Sequence, residues 1–143
     1  MNRFALAVLC GTLLASPGAA LADGVPVRVR VLEGSRQGPA QMDPAVSDLQ
    51  SQLSLLAYRR WRQVQDDHRQ LEPGKTATFT LPNGNPLELT VLEAKKDSVT
   101  LQLRVPSHQI SSRLKISKEQ RIVYQVAPEK NGAALFVSIR PWQ

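Results

Sequence analysis

The chain has 143 residues, 42% of them hydrophobic and 21% charged, with a formal charge of +6. That is one domain's worth of material with a globular composition, which excludes a disordered, collagen-like or polytopic membrane chain. The single cysteine excludes a disulfide framework and any cysteine-based zinc site.

The first residues read as an address. Arg3 supplies a positive charge, Phe4 to Leu14 form a short apolar run, Ser16-Pro17-Gly18 break it, and Ala20-Leu21-Ala22 have the small-x-small form of a cleavage site. The pattern predicts a secretory signal peptide over residues 1–22 and a single mature domain over 23–143. The run is shorter than the roughly 20 residues a bilayer span takes, and no later stretch approaches that length. No transmembrane segment is therefore expected in the mature chain, and the expected location is periplasmic or secreted. A rival reading makes Cys10 the acylated cysteine of a bacterial lipoprotein. Against it, Leu9 is not a small residue and the apolar run continues past Cys10. In an exported setting, excess basic charge suits an acidic protein face, an anionic glycan or lipid head groups better than nucleic acid.

Val25 to Leu32 alternate, with valines on one face and Pro26, Arg28 and Arg30 on the other, so a half-buried strand is expected. Glu33 to Met42, with Gly34, Gly38 and Pro39, reads as a loop. Asp43 is a good N-cap and Pro44 suits the first helical position. Val46, Leu49, Leu53 and Leu56 then make one apolar stripe, which predicts an amphipathic helix over residues 44–57. From Tyr58 the period becomes two. Strands are expected at Tyr58–Val64, Thr76–Leu81, Leu87–Glu93, Val99–Val105, Ile110–Ile116, Ile122–Ala127 and Ala133–Ile139, with a tail from Arg140. Between them lie a Pro73-Gly74 turn, an Asn83-Gly84 hairpin of type I′ and a second Asn-Gly at Asn131-Gly132. Regular short strands joined by tight turns predict an α+β, mostly β fold: an antiparallel sandwich or barrel-like sheet of about eight strands with one amphipathic helix.

Several of these features occur together elsewhere: the valine-rich first strand, Asp43-Pro44 opening a helix with Leu49 and Leu53, Tyr58, the Leu71-x-Pro73-Gly74 turn and Leu81-Pro82-Asn83-Gly84. On them the chain resembles a small secreted domain of unknown function found in myxobacteria and related bacteria, over nearly all of the mature sequence. The resemblance implies a part in envelope assemblies, such as an accessory subunit of a secretion or motility apparatus. The shared residues are folding signals, and none of them is catalytic.

Residues with reactive chemistry are few. Asp66-Asp67-His68 would put one carboxylate and one imidazole on a strand face, but no third ligand has metal-site spacing, and a solvated turn is the expected state. Ser107-His108 are adjacent, so on a strand they point apart, and no Gly-x-Ser-x-Gly is present. Glu88 and Glu93 would face opposite sides of one strand, which does not suit glycoside cleavage. The suggestive stretch is Tyr58-Arg59-Arg60-Trp61-Arg62, because arginine with tryptophan binds anions and flat groups. On a strand, Arg60 and Arg62 share one face and Arg59 and Trp61 the other. Charge guarding an exposed strand against edge pairing is the plainer explanation. Arg113 and Lys115, with Lys118 and Arg121, form a second basic group.

The functional expectation is a non-catalytic, exported interaction module of a bacterial envelope, with no cofactor and no metal. It would bind an envelope protein or an anionic envelope polymer through Arg59, Arg60, Trp61, Arg62, Arg113 and Lys115. A small periplasmic hydrolase and a carrier of a hydrophobic ligand are the alternatives.

Overall fold

Valine at every second position from Val25 to Val31 gives β1 (Val25–Ser35) a buried apolar face. The structure, a computed structural model, describes residues 24–142. The segment 1–22 read as a signal peptide, with Cys10, and Gln143 lie outside the described residues. After β1 come β2 (Gln41–Met42), a helical segment, β3 (Arg60–Leu71), β4 (Thr76–Thr80), β5 (Pro86–Ala94), β6 (Ser98–Val105), β7 (Ile110–Ser117), β8 (Ile122–Lys130) and β9 (Ala133–Pro141). The fold is α+β and mostly β.

Two sheets form. One has the order β2-β3-β1-β9-β8, and the other is the meander β4-β5-β6-β7. All pairings between these strands are antiparallel except the two-residue contact of β2 with β3, and an isolated parallel bridge joins Pro73 to Val91. The valines of β1, Val137 and Ile139 of β9, and Leu87, Leu89, Leu101 and Leu103 of the smaller sheet fill the space between the sheets. Trp142, just past β9, packs its ring on this core, and its amide donates to the Pro26 carbonyl at 2.6 Å.

A second core lies on the other side of the larger sheet. Leu32, Trp61, Ala134 and Phe136 point outward there and are covered by Val46, Leu49 and Leu53 of the helical segment. One strand serves both cores because of a bulge. The β1–β3 register slips between Val31 and Leu32, leaving Val64 as the extra residue in β3. Leu71 therefore faces the inter-sheet core while Trp61, also odd-numbered, faces outward. Arg30 lies on this outer face beneath the helical segment, 3% exposed, opposite Ser138 in the register. Among the described residues the buried Ser138 hydroxyl has no hydrogen-bond partner. Ser138→Ala is expected to raise stability by about 1 kcal/mol, since it removes an unsatisfied polar group at little packing cost. Urea unfolding reads this directly, and a loss of stability would show that the hydroxyl has a partner.

The helical cover is shorter than its apolar stripe suggests. It is a 3₁₀ segment (Pro44–Leu49) followed by one α turn (Gln50–Leu53). Asp43 caps it as expected, accepting from the Ala45 amide at 3.0 Å, and its other oxygen accepts from the Gln63 amide of β3 at 3.0 Å. The segment kinks at Val46, whose φ of −115° is not helical, and Val46 and Leu49 are both fully buried against the sheet. The chain leaves the helix after Leu53, and Leu56 is 36% exposed instead of completing the stripe.

Other local expectations are corrected. Residues 33–35 continue β1, and Gln41–Met42 pair as β2, so the loop is shorter than composition implied. Asp66-Asp67-His68 form part of β3, because that strand runs on to Leu71 along β1. The two Asn-Gly pairs differ. Asn131 and Gly132 both have positive φ, as a type I′ turn requires, whereas Asn83 does not and only Gly84 is left-handed. Pro82 is the reason: its ring fixes a negative φ at the first central position, which favours a type I turn closed by a left-handed glycine. The observed bonds fit, with the Gly84 amide on the Leu81 carbonyl and the Leu81 amide on the Asn85 carbonyl.

Candidate functional site

The sheets differ in strand length, and the difference builds the site. Past Val31 and Val137 the larger sheet outruns the smaller one. Its inward positions there are Glu33, Ser35, Arg60, Arg62, Ala133 and Leu135, set in neighbouring registers. Turns from the smaller sheet and the β8–β9 hairpin wall this ledge. One recess, about 450 Å³, has a floor of Ala127, Pro128, Ala133 and Leu135, with Asn83, Asn85 and His108 on one wall and Glu33 and Lys130 at its margin. A second, about 370 Å³, lies on the other side of Glu33 and holds Gln41, Asp43, Arg60 and Arg62.

The polar groups of the ledge are mostly engaged. Arg62 Nη2 donates to Glu33 Oε1 at 3.1 Å, and Arg60 Nη2 to Gln41 Oε1 at 3.2 Å. The Asn85 amide contacts His108 Nε2 at 3.4 Å, a long hydrogen bond. Glu33, His108 and Lys130 make no hydrogen bond to one another. Asp43, beside Arg62, is held below the usual carboxylate range mainly by the amides of Ala45 and Gln63.

The expected surface residues are dispersed. Arg60 and Arg62 lie on the ledge and are exposed, with Arg59 just ahead of β3. Trp61 is 3% exposed and points the other way, into the outer core. There it meets Phe136 edge-on at 5.1 Å and Tyr58 at 5.8 Å, so its ring belongs to that core. Arg113 and Lys115 lie on the outward face of β7, beside Gln102 and Thr100 of β6. The two basic groups thus form no common patch. Among the described residues Arg59, Arg60, Arg113 and Lys115 enter no ion pair.

The reactive-looking clusters are also accounted for. Asp66 and His68 share the outer face, but Arg28 holds both Asp66 oxygens, at 2.9 and 2.7 Å, and keeps that carboxyl below its ordinary range. No group of three His, Cys, Asp or Glu suited to a metal is found among the described residues. Ser107 and His108 sit in a 3₁₀ turn (Pro106–His108), where His108 turns to Asn85. Glu88 pairs with Arg104, and Glu93 with Lys95. The ledge residues Asn85, His108, Ala127 and Lys130 are not singled out as a surface from sequence, because they come from two separate turns and the end of β8. The visible signal was Pro-Asn-Gly chemistry clustering at one end of a meander.

No protein-family model, curated protein or solved structure matches this chain.

Proposed function

We propose that this protein is a non-catalytic binding module of a bacterial cell envelope, working in the periplasm or outside the cell, that docks a protein partner on the ledge of its larger sheet. The observation that carries this reading is the ledge itself: an apolar floor open to solvent, flanked by Arg60, Arg62 and Lys130, with its carboxylate and imidazole bound to non-catalytic neighbours. An apolar floor with a polar rim is how docking surfaces are built, and the cations favour a partner that presents carboxylates. The leader-like first 22 residues support export. The hydrolase reading has less support, because Glu33 is engaged by Arg62 and His108 by Asn85. The carrier reading has less support too, because the inter-sheet side chains Leu87, Leu89, Leu101 and Leu103 are fully buried against one another.

The test is crosslinking in the intact envelope from positions on the ledge, with partner identification. Arg60→Glu with Arg62→Glu is expected to lower capture about tenfold and to change its salt dependence. Folding should be little affected, since the exposed Arg62–Glu33 pair contributes at most about 1 kcal/mol. Unchanged capture would count against the ledge. Capture of an anionic glycan in place of a protein would change the partner class. Turnover lost on His108→Gln would replace the reading with the hydrolase.

A further inference from the structure

The two long sides of the sandwich are finished differently. On the β3–β4 side, side chains of β3 cover the free edge of β4. Gln65 Nε2 donates to the Thr80 carbonyl at 3.0 Å, and Arg69 Nη1 to the Thr78 carbonyl at 3.0 Å. The Arg69 guanidinium also lies over the Phe79 ring at 4.2 Å. The edge of β3 carries a bulge and inward-pointing Asp67 and Arg69. Both are ordinary defences against strand addition. On the β7–β8 side, β8 has two register shifts and contains Pro128, which defend it in the same way. β7 has no bulge, proline or inward charge, and among the described residues side-chain cover is found only at its last residue, where Gln120 Oε1 accepts from the Ser117 amide at 3.0 Å. It is the last strand of its sheet, runs eight residues in unbroken register with β6, and contains no proline or glycine. Next to it the sandwich is open: a recess of about 520 Å³ is lined by Ile110 of β7 and by Tyr124, Gln125 and Ala127 of β8. Ile110 and Tyr124 are half-buried at this opening, and Leu114 and Ile122 are half-buried along the same side of the core.

We infer that β7 is an acceptor edge, completed by an extended segment of a partner protein whose residues alternate apolar and acidic. The inference rests on the binding-module reading and uses the adjoining strand edge, whose recess shares His108, Ala127 and Pro128 with the ledge. A strand added to β7 continues its pleat. Its inward side chains would lie beside Ile110, Ser112, Leu114 and Ile116, over the opening toward Tyr124, and so are mostly apolar. Its outward side chains would lie beside Ser111, Arg113, Lys115 and Ser117. Arg113 and Lys115 have no acidic partner among the described residues, so carboxylates at those positions complete two cross-strand pairs. A second copy of the chain fits poorly, because β7 against β7 sets basic residues against basic residues.

The probe is a capped hexapeptide alternating valine and glutamate, with a valine–lysine hexapeptide as control. Binding is read by anisotropy, and its place by amide hydrogen exchange of the purified protein. The acidic peptide is expected to bind, to slow exchange within β7 while leaving β4 unchanged, and to weaken with salt. Arg113→Glu with Lys115→Glu is expected to cost it about tenfold in affinity and to transfer binding to the lysine peptide. Both residues are exposed, so the variant should fold, and unchanged near-ultraviolet circular dichroism checks this. Absence of binding, binding without slowed β7 exchange, or indifference to the charge swap would each overturn the inference. So would β7 protection that grows with protein concentration alone, since the edge would then be taken by a second copy. These results leave the ledge reading to stand or fall on Arg60 and Arg62.

Discussion

Trp61→Ala is expected to destabilise the protein by about 3–5 kcal/mol, the usual range for truncating a buried aromatic. The indole is one corner of an aromatic triangle, edge-on to Phe136 and to Tyr58, which meet each other edge-on at 5.5 Å. It fills the space between β1, β9 and the helical segment. Nothing nearby is placed to collapse into the gap, because Leu32, Leu49 and Leu53 are already fully buried. Gly34 gives a second view of the same contact: a Cβ there would lie 2.9 Å from the indole ring, so β1 approaches the ring more closely than any side chain allows. Since whole domains are stable by about 5–15 kcal/mol, this single change removes a large share. Urea unfolding measures it. A cost below about 1 kcal/mol would mean that Trp61 is not packed as described and would restore it as a surface residue.

Asp48→Ala is expected to cost about 2–3 kcal/mol, and its effect should depend on pH. Asp48 takes both of its hydrogen bonds from the buried Arg30, at 3.1 and 2.8 Å, with Arg121 Nε a further 3.4 Å away. Removing the carboxylate leaves a guanidinium, 3% exposed, with the Ala45 carbonyl at 3.3 Å and a second cation nearby. The figure lies below the usual cost of breaking a buried pair because Asp48 itself is 36% exposed. The Arg30 hydrogen bonds, and after them the charges of Arg30 and Arg121, hold the Asp48 carboxyl below its ordinary 3.8. A carboxyl lowered in the folded state contributes stability that is complete above its unfolded value and is lost as pH falls through its folded value. Asp66, lowered by Arg28, acts in the same direction. The melting temperature should therefore fall below about pH 4, and Asp48→Ala should flatten that fall. Parallel profiles for the variant and the parent between roughly pH 5 and 3 would remove Asp48 from the account. Arg30→Met combined with Asp48→Ala should recover most of the lost stability, because it removes the stranded charge as well.

What could be read from the sequence was what depends on near neighbours. Alternation located β1, β6, β7 and β9, and Asp43-Pro44 marked where the helical segment begins. Alternation also set Arg60 and Arg62 on one face and Trp61 on the other. It could not say which face was buried, because that depends on a bulge at Val64 and on a helix packed across the sheet. The Asp66-Asp67-His68 segment looked like a turn because it is polar on both faces. Its outer face meets Arg28, and its inner face lies along the edge of β4, where the neighbouring Gln65 and Arg69 bond to main-chain carbonyls, so neither needed apolar residues. The length of the helix was misjudged because Leu56 continues the spacing but finds no sheet beneath it. The ledge was hidden for a different reason: Glu33, Asn85, His108 and Lys130 are far apart in the chain, and only the unequal lengths of the two sheets bring them to one end.

β1 lies between β3 and β9, so the earliest strand is completed by the latest. Val27 pairs with Pro141, and Ser35 with Ala133. Until β9 arrives, β1 has hydrogen bonds on one side only, and neither core can close. Contacts joining such remote stretches make folding slow, typically milliseconds to seconds, and postpone most of the energetic return to the final step. A chain growing from its N-terminus would thus remain open, and able to thread a narrow passage, until its last strand was free.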